Sequence, residues 1–285
     1  MRGDYADTRS RLETYFDRTA HGKWTALTSD APVSRIRQTV REGRDAMRAA
    51  LLAMLPADLR GAEVLDAGCG VGQLSVALAE RGASVTAVDI SPRLIDVARE
   101  RAAREASLEA AGRIRFIAGD MLEAAPQAAD DPSRGAARRF DYAVAMDSLL
   151  HYRPEHVAAA LDRLSGRVSR TIHFTMAPRT PLLTAMHWAG KAFPQGDRSP
   201  AIAPISPRAL TLALNALPEA ALRRLVVGTR VARGFYISQA YSLTAPASPR
   251  GEAGLVGGDG RAAGRPGADA DLSGAESGVF RESAP

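Results

Sequence analysis

Short apolar runs alternate with longer segments of helical periodicity between residues 62 and 175. The runs predict five β-strands, because they are short, rich in β-branched and aromatic residues, and bounded by turn-forming residues. These strands are predicted at 62–67, 84–89, 114–117, 140–146 and 171–175. Helices are predicted between them at 73–81, 92–105 and 154–166. Alternating strands and helices form a parallel sheet with helices on both faces, so a doubly wound, Rossmann-like α/β fold is predicted.

A long helix is predicted ahead of this region, from an N-cap at Ser34 to a stop at Pro56. Its apolar residues recur at helical spacing on one face, and arginines form a second stripe beside them. That stripe consists of Arg37, Arg41, Arg44 and Arg48. Two interpretations stay open: a solvated basic face, or arginines that meet carboxylates of a ligand or a partner protein. Residues 1–56 are predicted to form an N-terminal helical arm or cap.

The remaining chain is predicted to complete the α/β domain, 57–243, and then to lose regular structure. Residues 178–207 are rich in proline and interrupt the alternation, as expected of a lid-like insertion after strand five. One helix and an antiparallel pair of strands, which would complete a mostly parallel seven-stranded sheet, are predicted at 207–216, 223–230 and 234–243. Residues 244–285 contain few apolar side chains and are predicted to be a disordered tail.

Composition and charge narrow the class of protein. The chain has 285 residues, of which 46% are hydrophobic, enough for one substantial core. No run of about 18 apolar residues is present and no apolar signal segment opens the chain, so a cytoplasmic protein is expected. The single cysteine, Cys69, excludes an internal disulfide and a multi-cysteine metal site. A net charge of +5 favours anionic partners such as nucleic acid, a lipid surface or an acidic small molecule.

A glycine-rich turn follows the first predicted strand. The segment 64–72 reads Val-Leu-Asp-Ala-Gly-Cys-Gly-Val-Gly. Glycine lets the backbone approach a ligand closely, because it can take a positive φ and has no Cβ. The helix that follows directs its N–H groups and positive dipole end at whatever lies over the turn. Two ligands are compatible with this geometry: a dinucleotide and S-adenosylmethionine.

The spacing of the glycines favours S-adenosylmethionine. A dinucleotide fingerprint, G-x-G-x-x-G, would place its third glycine at position 73, which is Gln73. The sequence instead has Asp66 two residues before Gly68, followed by Gly70 and Gly72. A carboxylate there can pair with a cationic amino group, whereas a pyrophosphate gives no reason for it. The pattern resembles the first motif of class I S-adenosylmethionine-dependent methyltransferases, and this resemblance implies their fold.

Two more acidic residues follow the next two strands. Asp89 ends strand two, where an acid can accept hydrogen bonds from both hydroxyls of a ribose, and Ile90 beside it could pack on an adenine face. Asp120 and Met121 follow strand three and resemble the adenine-contact motif of the methyltransferases. Acids at three successive strand ends, together with the glycine turn, predict S-adenosylmethionine as the cofactor.

The segment after strand four, from Met146 to Tyr152, is expected to face the transferable methyl group. It lacks the Asn/Asp-Pro-Pro-aromatic motif that methyltransferases acting on exocyclic base amines share, so a nucleic acid partner is not expected. His151 is the catalytic candidate in this segment. Of the other histidines, His173 is predicted to lie in the core and His156 on a solvated helix face.

Several further segments are together more specific. They are Tyr15-Phe16-Asp17-x-Thr19-Ala20, Trp24, Val40-Arg41-x-Gly43, His151-Tyr152-x-Pro154, Phe174-x-x-Ala177-Pro178-x-Thr180-Pro181 and Phe193-Pro194. With the glycine turn, they are similar to the magnesium-protoporphyrin IX O-methyltransferases of chlorophyll and bacteriochlorophyll synthesis, over about residues 12–243. One position departs from the chlorophyll-type relatives: Thr28 stands where they carry a tyrosine.

The resemblance implies the reaction and its residues. The acceptor would be a propionate carboxylate of magnesium protoporphyrin IX, which is already ionised at pH 7 and needs no strong base. His151 and Tyr15 would be catalytic. The resemblance also implies that Met146 contacts the cofactor and that Arg41, or a neighbouring arginine, holds a carboxylate of the cofactor or of the porphyrin. Residues expected to contact the porphyrin are Trp24, Thr28, His151, Pro178 and Thr180.

Partners and alternatives follow from the same comparison. The resemblance implies a magnesium-porphyrin substrate, a porphyrin-binding subunit of magnesium chelatase as a partner, and peripheral contact with the photosynthetic membrane. Three alternatives stay open. They are another small-molecule O-methyltransferase, for example on a quinone precursor, a non-catalytic S-adenosylmethionine-binding scaffold, and an RNA-binding methyltransferase.

Overall fold

A seven-stranded sheet forms the frame of the protein, for which a computed structural model describes residues 8–10, 12–15, 17, 35–124, 140–179 and 202–246. Its strands are β1 (Glu63–Ala67), β2 (Ser84–Asp89), β3 (Ile114–Ala118), β4 (Phe140–Ala145), β5 (Val168–Met176), β6 (Arg224–Arg233) and β7 (Tyr236–Thr244). The chain divides into two units, Met1–Pro246 and Ala247–Pro285, and all the described residues belong to the first.

The helices surround this sheet. They are α1 (Arg35–Ala53), α2 (Gln73–Glu80), α3 (Pro92–Glu105), α4 (Leu108–Gly112), α5 (Pro154–Ser165) and α6 (Pro207–Asn215). A short 3-10 helix covers Ala220–Leu222, and parts of 8–17 are also helical. Among the described residues, no helix is both long and apolar enough to cross a membrane.

The strand order, β3-β2-β1-β4-β5-β7-β6, confirms the predicted doubly wound fold. The strands from β3 to β5 are parallel, and β7 pairs antiparallel with both β5 and β6. The chain moves outward from β1 to β3 and then returns to place β4 on the other side of β1. Loops leave the sheet in opposite directions at this switch point, so a crevice opens at the carboxyl ends of β1 and β4.

Most predicted boundaries agree with the structure within two residues. Helix α1 ends at Ala53, before the predicted stop at Pro56, and β6 continues to Arg233, beyond the predicted 230, while β5 and α4 also differ. Strand β5 begins at Val168, three residues before the predicted start at 171. The prediction missed this part of the strand because the exposed Ser169 and Arg170 interrupt its apolar pattern. Helix α4 was not predicted, since it has five residues and Leu108 is exposed. Its N-cap is Ser107, whose hydroxyl oxygen accepts a hydrogen bond from the Ala110 N–H at 3.2 Å.

Two hydrophobic clusters lie in the fold, the larger of which contains Leu65, Phe174 and Tyr241. The second contains Met47 and Leu51 of α1 with apolar residues of α2, β1 and β2, which explains the apolar stripe of α1. The core position predicted for His173 is confirmed: it is buried, and its Nδ1 lies 2.9 Å from Ser242 Oγ. The solvated position predicted for His156 is wrong, because this residue of α5 is also buried.

Gly43 determines how closely α1 approaches the hairpin of β6 and β7. A Cβ at Gly43 would lie 2.6 to 2.8 Å from three carbon atoms of Tyr236. We therefore expect Gly43→Ala to lower the free energy of unfolding by about 1–3 kcal/mol, although alanine is the better helix former. Chemical denaturation measures the change.

Gly112→Ala is the matched control, since a Cβ at Gly112 meets nothing within 4 Å. We expect that variant to be neutral or stabilised by up to about 1 kcal/mol. Equal stability of the two variants would show that the contact between α1 and Tyr236 is not tight.

Candidate active site

A cleft opens at the carboxyl ends of β1, β2, β3 and β4, with a volume of about 990 Å³ when the open solvent at its mouth is included. Its lining includes the predicted cofactor residues Asp66, Gly68, Gly70, Asp89, Ile90, Asp120, Met121 and Met146, as well as His151. The fold thus brings together residues from four strand ends that are as far as 85 positions apart in the chain, from Asp66 to His151 (151 − 66).

The glycine turn requires glycine at Gly68. Its φ is 82°, and a Cβ there would lie 2.3 Å from Ser148 Cβ. Ser148 is held in place by a 2.7 Å hydrogen bond from its hydroxyl to the carbonyl oxygen of Ala67. The turn therefore leaves bare backbone at the junction of β1 and β4, where a ligand can lie close to the chain.

Gly72 has a different role from the one predicted. It is not part of the cleft lining, and a Cβ there would lie 3.0 Å from Ala98 Cβ on α3. With φ of 76°, Gly72 is also the N-cap of α2. The structure therefore assigns Gly72 to the start of α2 and its packing on α3, and corrects its prediction as a cofactor contact.

Asp66 lies at the base of the cleft and is 1% exposed. Its Oδ2 accepts a 2.6 Å hydrogen bond from Ser75 Oγ. Burial raises the pKa of Asp66 to about 7, although the bond from Ser75 acts in the opposite direction, and the nearby charge of Asp89 adds to the rise. A cation placed over this carboxylate would favour its charged form.

Asp89 connects the end of β2 to the glycine turn. Its Oδ2 accepts the Gly70 N–H and its Oδ1 accepts the Ser91 N–H, both at 2.9 Å. Burial raises the pKa of Asp89, and the backbone donors oppose this rise. These two bonds fix the carboxylate in the cleft lining, and a carboxylate has further lone pairs with which it could accept hydrogen bonds from a ligand.

Asp120 follows β3, and its Oδ1 accepts the Leu122 N–H at 2.9 Å. Its Oδ2 forms an ion pair with Arg9 Nη1 at 3.1 Å. Leu12, which is 3% exposed, adds an apolar contact from the same N-terminal segment to the cleft lining. Sequence reasoning missed both Arg9 and Leu12, because nothing in their local pattern shows that this segment reaches the cleft.

Two arginines of α1 reach the cleft, and both are neighbours of Arg41 on the same stripe. Arg44 and Arg48 are part of the lining, whereas Arg41 lies outside it. Arg48 Nη1 donates to Gln73 Oε1 at 3.1 Å, at the start of α2. The cleft therefore meets α1 one and two turns beyond Arg41, on the arginine stripe that the sequence identified. Of the predicted alternatives, the cleft lining favours a neighbouring arginine over Arg41 itself.

Of the residues predicted to act on the acceptor, besides His151, the structure describes only Tyr15 and Pro178. Tyr15 is half-buried and is not part of the cleft lining. Pro178 is also outside the lining and forms a parallel β-bridge with Ile205. The predictions for Trp24, Thr28 and Thr180 lie outside the described residues, as do those for Ser34 and for most of the insertion and the tail.

The strand order and the acidic, glycine-lined cleft are those of the class I methyltransferase fold. Residues 64–170 match the family model described as "Methyltransferase domain". Residues 145–245 match the model described as "Magnesium-protoporphyrin IX methyltransferase C-terminus".

Relatives identify the family more closely. A magnesium-protoporphyrin O-methyltransferase of Rhodobacter capsulatus is 48% identical over 240 residues, which cover 84% of this chain and 97% of the relative. An enzyme of the same name from Synechocystis is 29% identical over 190 residues, 66% of this chain and 76% of that one. The chain belongs to the magnesium-protoporphyrin O-methyltransferase family.

A solved structure supports the fold. The crystal structure of magnesium protoporphyrin IX methyltransferase from Synechocystis PCC 6803 with bound SAH superposes with a TM-score of 0.65 at 24% identity. The match covers 83% of this chain and 99% of that one. The overall architecture is therefore shared across a large sequence difference.

The raised pKa of Asp66 gives a prediction about stability. A carboxyl whose pKa is higher in the folded than in the unfolded state makes stability fall as pH rises between the two values, here from about 4 to about 7. We expect Asp66→Asn to remove this loss and to unfold at higher denaturant than the wild type at pH 8. The gain is at most a few kcal/mol, since one pKa unit corresponds to about 1.4 kcal/mol.

Denaturation of both proteins at pH 5 and pH 8 measures this difference without ligand. Ser75→Ala is the companion variant, because it removes the hydroxyl that stabilises the ionised carboxylate. It should lose stability, and more at pH 8 than at pH 5. If the stability difference between wild type and Asp66→Asn is the same at pH 5 and pH 8, the raised pKa of Asp66 is contradicted.

Proposed function

We propose that this protein transfers a methyl group from S-adenosylmethionine to a propionate carboxylate of magnesium protoporphyrin IX, which gives the monomethyl ester. The observation that carries the proposal is the 48% identity to the Rhodobacter capsulatus enzyme over almost its whole length. The cleft agrees with it, because its acidic and glycine residues suit a cationic, ribose-bearing ligand.

The residues of the cleft would hold the cofactor from three strand ends. Asp66 and the backbone of Gly68 and Gly70 would surround its amino acid part, and Asp89 would accept hydrogen bonds from its ribose. The side chains proposed to hold its adenine and its methyl-bearing end are Ile90, Asp120, Met121 and Met146. Bound there, the cofactor supplies a methyl group activated by a positively charged sulfur.

The acceptor needs orientation more than activation. A propionate with a pKa near 4.3 is ionised at pH 7, and its oxygen forms the new bond as the sulfur–methyl bond breaks. The electron pair of the broken bond remains on sulfur, and no proton is released. His151, in the turn after β4 and in the cleft lining, would orient this carboxylate. Exclusion of water by the bound substrate would keep the carboxylate reactive.

The remaining roles extend this proposal to the rest of the chain. We propose that residues 1–56 form a cap and that 178–207 form a lid over the macrocycle, with Trp24, Thr28, Pro178 and Thr180 in contact with it. Tyr15 would act on the acceptor from the N-terminal segment. A porphyrin-binding subunit of magnesium chelatase and the surface of the photosynthetic membrane are the proposed partners that deliver the substrate.

The direct test combines the protein with S-adenosylmethionine and magnesium protoporphyrin IX. We expect mass spectrometry to show the gain of one methyl group by the porphyrin and of none by a quinone precursor or RNA in parallel reactions. Hydrolysis of the product by base should release the porphyrin acid, because the new bond is an ester. A porphyrin of unchanged mass would contradict the proposed function and favour another acceptor or a scaffold.

The role of His151 is tested by His151→Ala. We expect turnover to fall about tenfold or more while calorimetry gives an unchanged affinity for the cofactor, because the side chain orients the acceptor only. His156→Gln is the matched control, since that histidine lies on α5 outside the cleft lining. Equal turnover of His151→Ala and wild type would exclude the role.

A further inference from the structure

Asp147, just after β4, has a left-handed backbone conformation that residues other than glycine adopt uncommonly. Its φ is 56°, and every other described residue with a positive φ is a glycine. A non-glycine residue in this region persists where the surrounding structure over-determines it, and such positions cluster at functional sites. Asp147 is also part of the cleft lining, two positions after the end of β4.

The carboxylate of Asp147 is held from three directions. Its side chain is 6% exposed, and Oδ2 forms a 2.6 Å ion pair with Arg44 Nη1 of α1. Tyr236 Oη of β7 lies 3.1 Å from both carboxylate oxygens. Thr175 Oγ1 of β5 donates to Oδ1 at 3.0 Å and accepts the Asp147 N–H at 2.8 Å. One buried side chain thus joins α1, β5 and β7 to the end of β4.

The packing of Gly43 shows that the same contact shapes α1. Gly43 precedes Arg44, and the absence of a Cβ there lets the ring of Tyr236 lie against the helix. Burial and the nearby Asp147 raise the pKa of Tyr236, which keeps its hydroxyl a hydrogen-bond donor. The ring and the hydroxyl of Tyr236 therefore place α1 and Asp147 together.

Such an arrangement is poorly explained by stability alone. A buried ion pair loses hydration, and apolar residues of similar volume often stabilise a fold equally well. What the pair does provide is orientation, because the bond from Nη1 to a fixed carboxylate holds one end of the Arg44 guanidinium in place. A guanidinium has further N–H groups with which it can donate to a ligand. Arg44 has a side chain 17% exposed and is itself part of the cleft lining.

We propose that Asp147 is a positioning residue that orients Arg44 toward a carboxylate of the bound ligand, with Tyr236 and Thr175 holding Asp147 in place. The inference rests on the proposed function, since both the methyl donor and the methyl acceptor carry a carboxylate. Arg44 makes the contact, and Asp147 acts only through it.

Two nucleosides separate this role from a merely structural one. S-Adenosylhomocysteine carries the amino acid carboxylate, and 5′-methylthioadenosine lacks it. We expect Arg44→Met and Asp147→Asn each to weaken S-adenosylhomocysteine binding about tenfold or more, the usual scale for a bond to a charged group. Binding of 5′-methylthioadenosine should change less than about twofold. Asparagine tolerates the backbone conformation of position 147, so the loss reports the charge.

The double variant provides the decisive measurement. If Asp147 acts through Arg44, the double variant binds S-adenosylhomocysteine no more weakly than Arg44→Met alone. If the carboxylate belongs to the porphyrin instead, nucleoside affinities stay unchanged and both variants raise KM for the porphyrin with kcat retained. The proposal is overturned if Asp147→Asn weakens S-adenosylhomocysteine binding equally in the wild type and in Arg44→Met. It is also overturned if Asp147→Asn changes neither the affinity for the nucleosides nor KM for the porphyrin.

Two controls make the outcome specific. Asp141→Asn removes a carboxylate from the other end of β4, where it accepts the Glu63 N–H at 3.0 Å, and should leave both nucleoside affinities unchanged. Tyr236→Phe keeps the ring against Gly43 and removes one donor to Asp147, so it serves if Asp147→Asn does not fold. Tyr236→Phe should weaken binding of S-adenosylhomocysteine more than binding of 5′-methylthioadenosine, or raise KM for the porphyrin. If it changes neither quantity, the result counts against the proposal.

The affinities for the two nucleosides are measured by calorimetry, which needs no methyl transfer. A wild-type protein that binds S-adenosylhomocysteine and leaves the porphyrin unmethylated would therefore contradict the proposed function and still permit the test of Asp147.

Discussion

The desolvation of neighbouring carboxylates is the constraint on which the rest of the structure depends. Asp66 and Asp89 end adjacent strands, both are buried, and the pKa of each is raised mainly for that reason. Their proximity adds to the cost, because two like charges in a site of low dielectric repel each other. A cationic ligand can offset this cost, so buried carboxylates with raised pKa values at a cleft are typical of a binding site.

The local backbone is arranged around these carboxylates. Donors from Gly70, Ser75 and Ser91 satisfy them, so that they remain directed at the cleft without a ligand. The same logic applies to Asp147, whose strained backbone is compensated by contacts from three elements. The polar network and the packing of α1 on Tyr236 are therefore one structural unit, in which a change in either affects the cleft.

Much of the fold and part of the cleft could be predicted from the sequence, because the signals are local. The alternation of strands and helices follows from periodicity, and the glycine spacing with Asp66 excludes the dinucleotide fingerprint. The position of Asp89 and Asp120 at strand ends is also visible locally. Strand β5 was predicted too short, since the exposed Ser169 and Arg170 conceal a backbone that still pairs with its neighbours.

The sequence by itself determined the alternating strands and helices of an α/β fold, the glycine turn and the acids at the strand ends, since each depends on neighbours within a few residues. Only the tertiary structure decided which arginine of α1 reaches the cleft, because that depends on how the helix rests on β6 and β7. It also decided that Arg9 meets Asp120, and that Asp147 meets Arg44 at 103 positions' distance in the chain. Contacts between remote segments depend on packing, and no periodicity or motif within a segment encodes its distant partner.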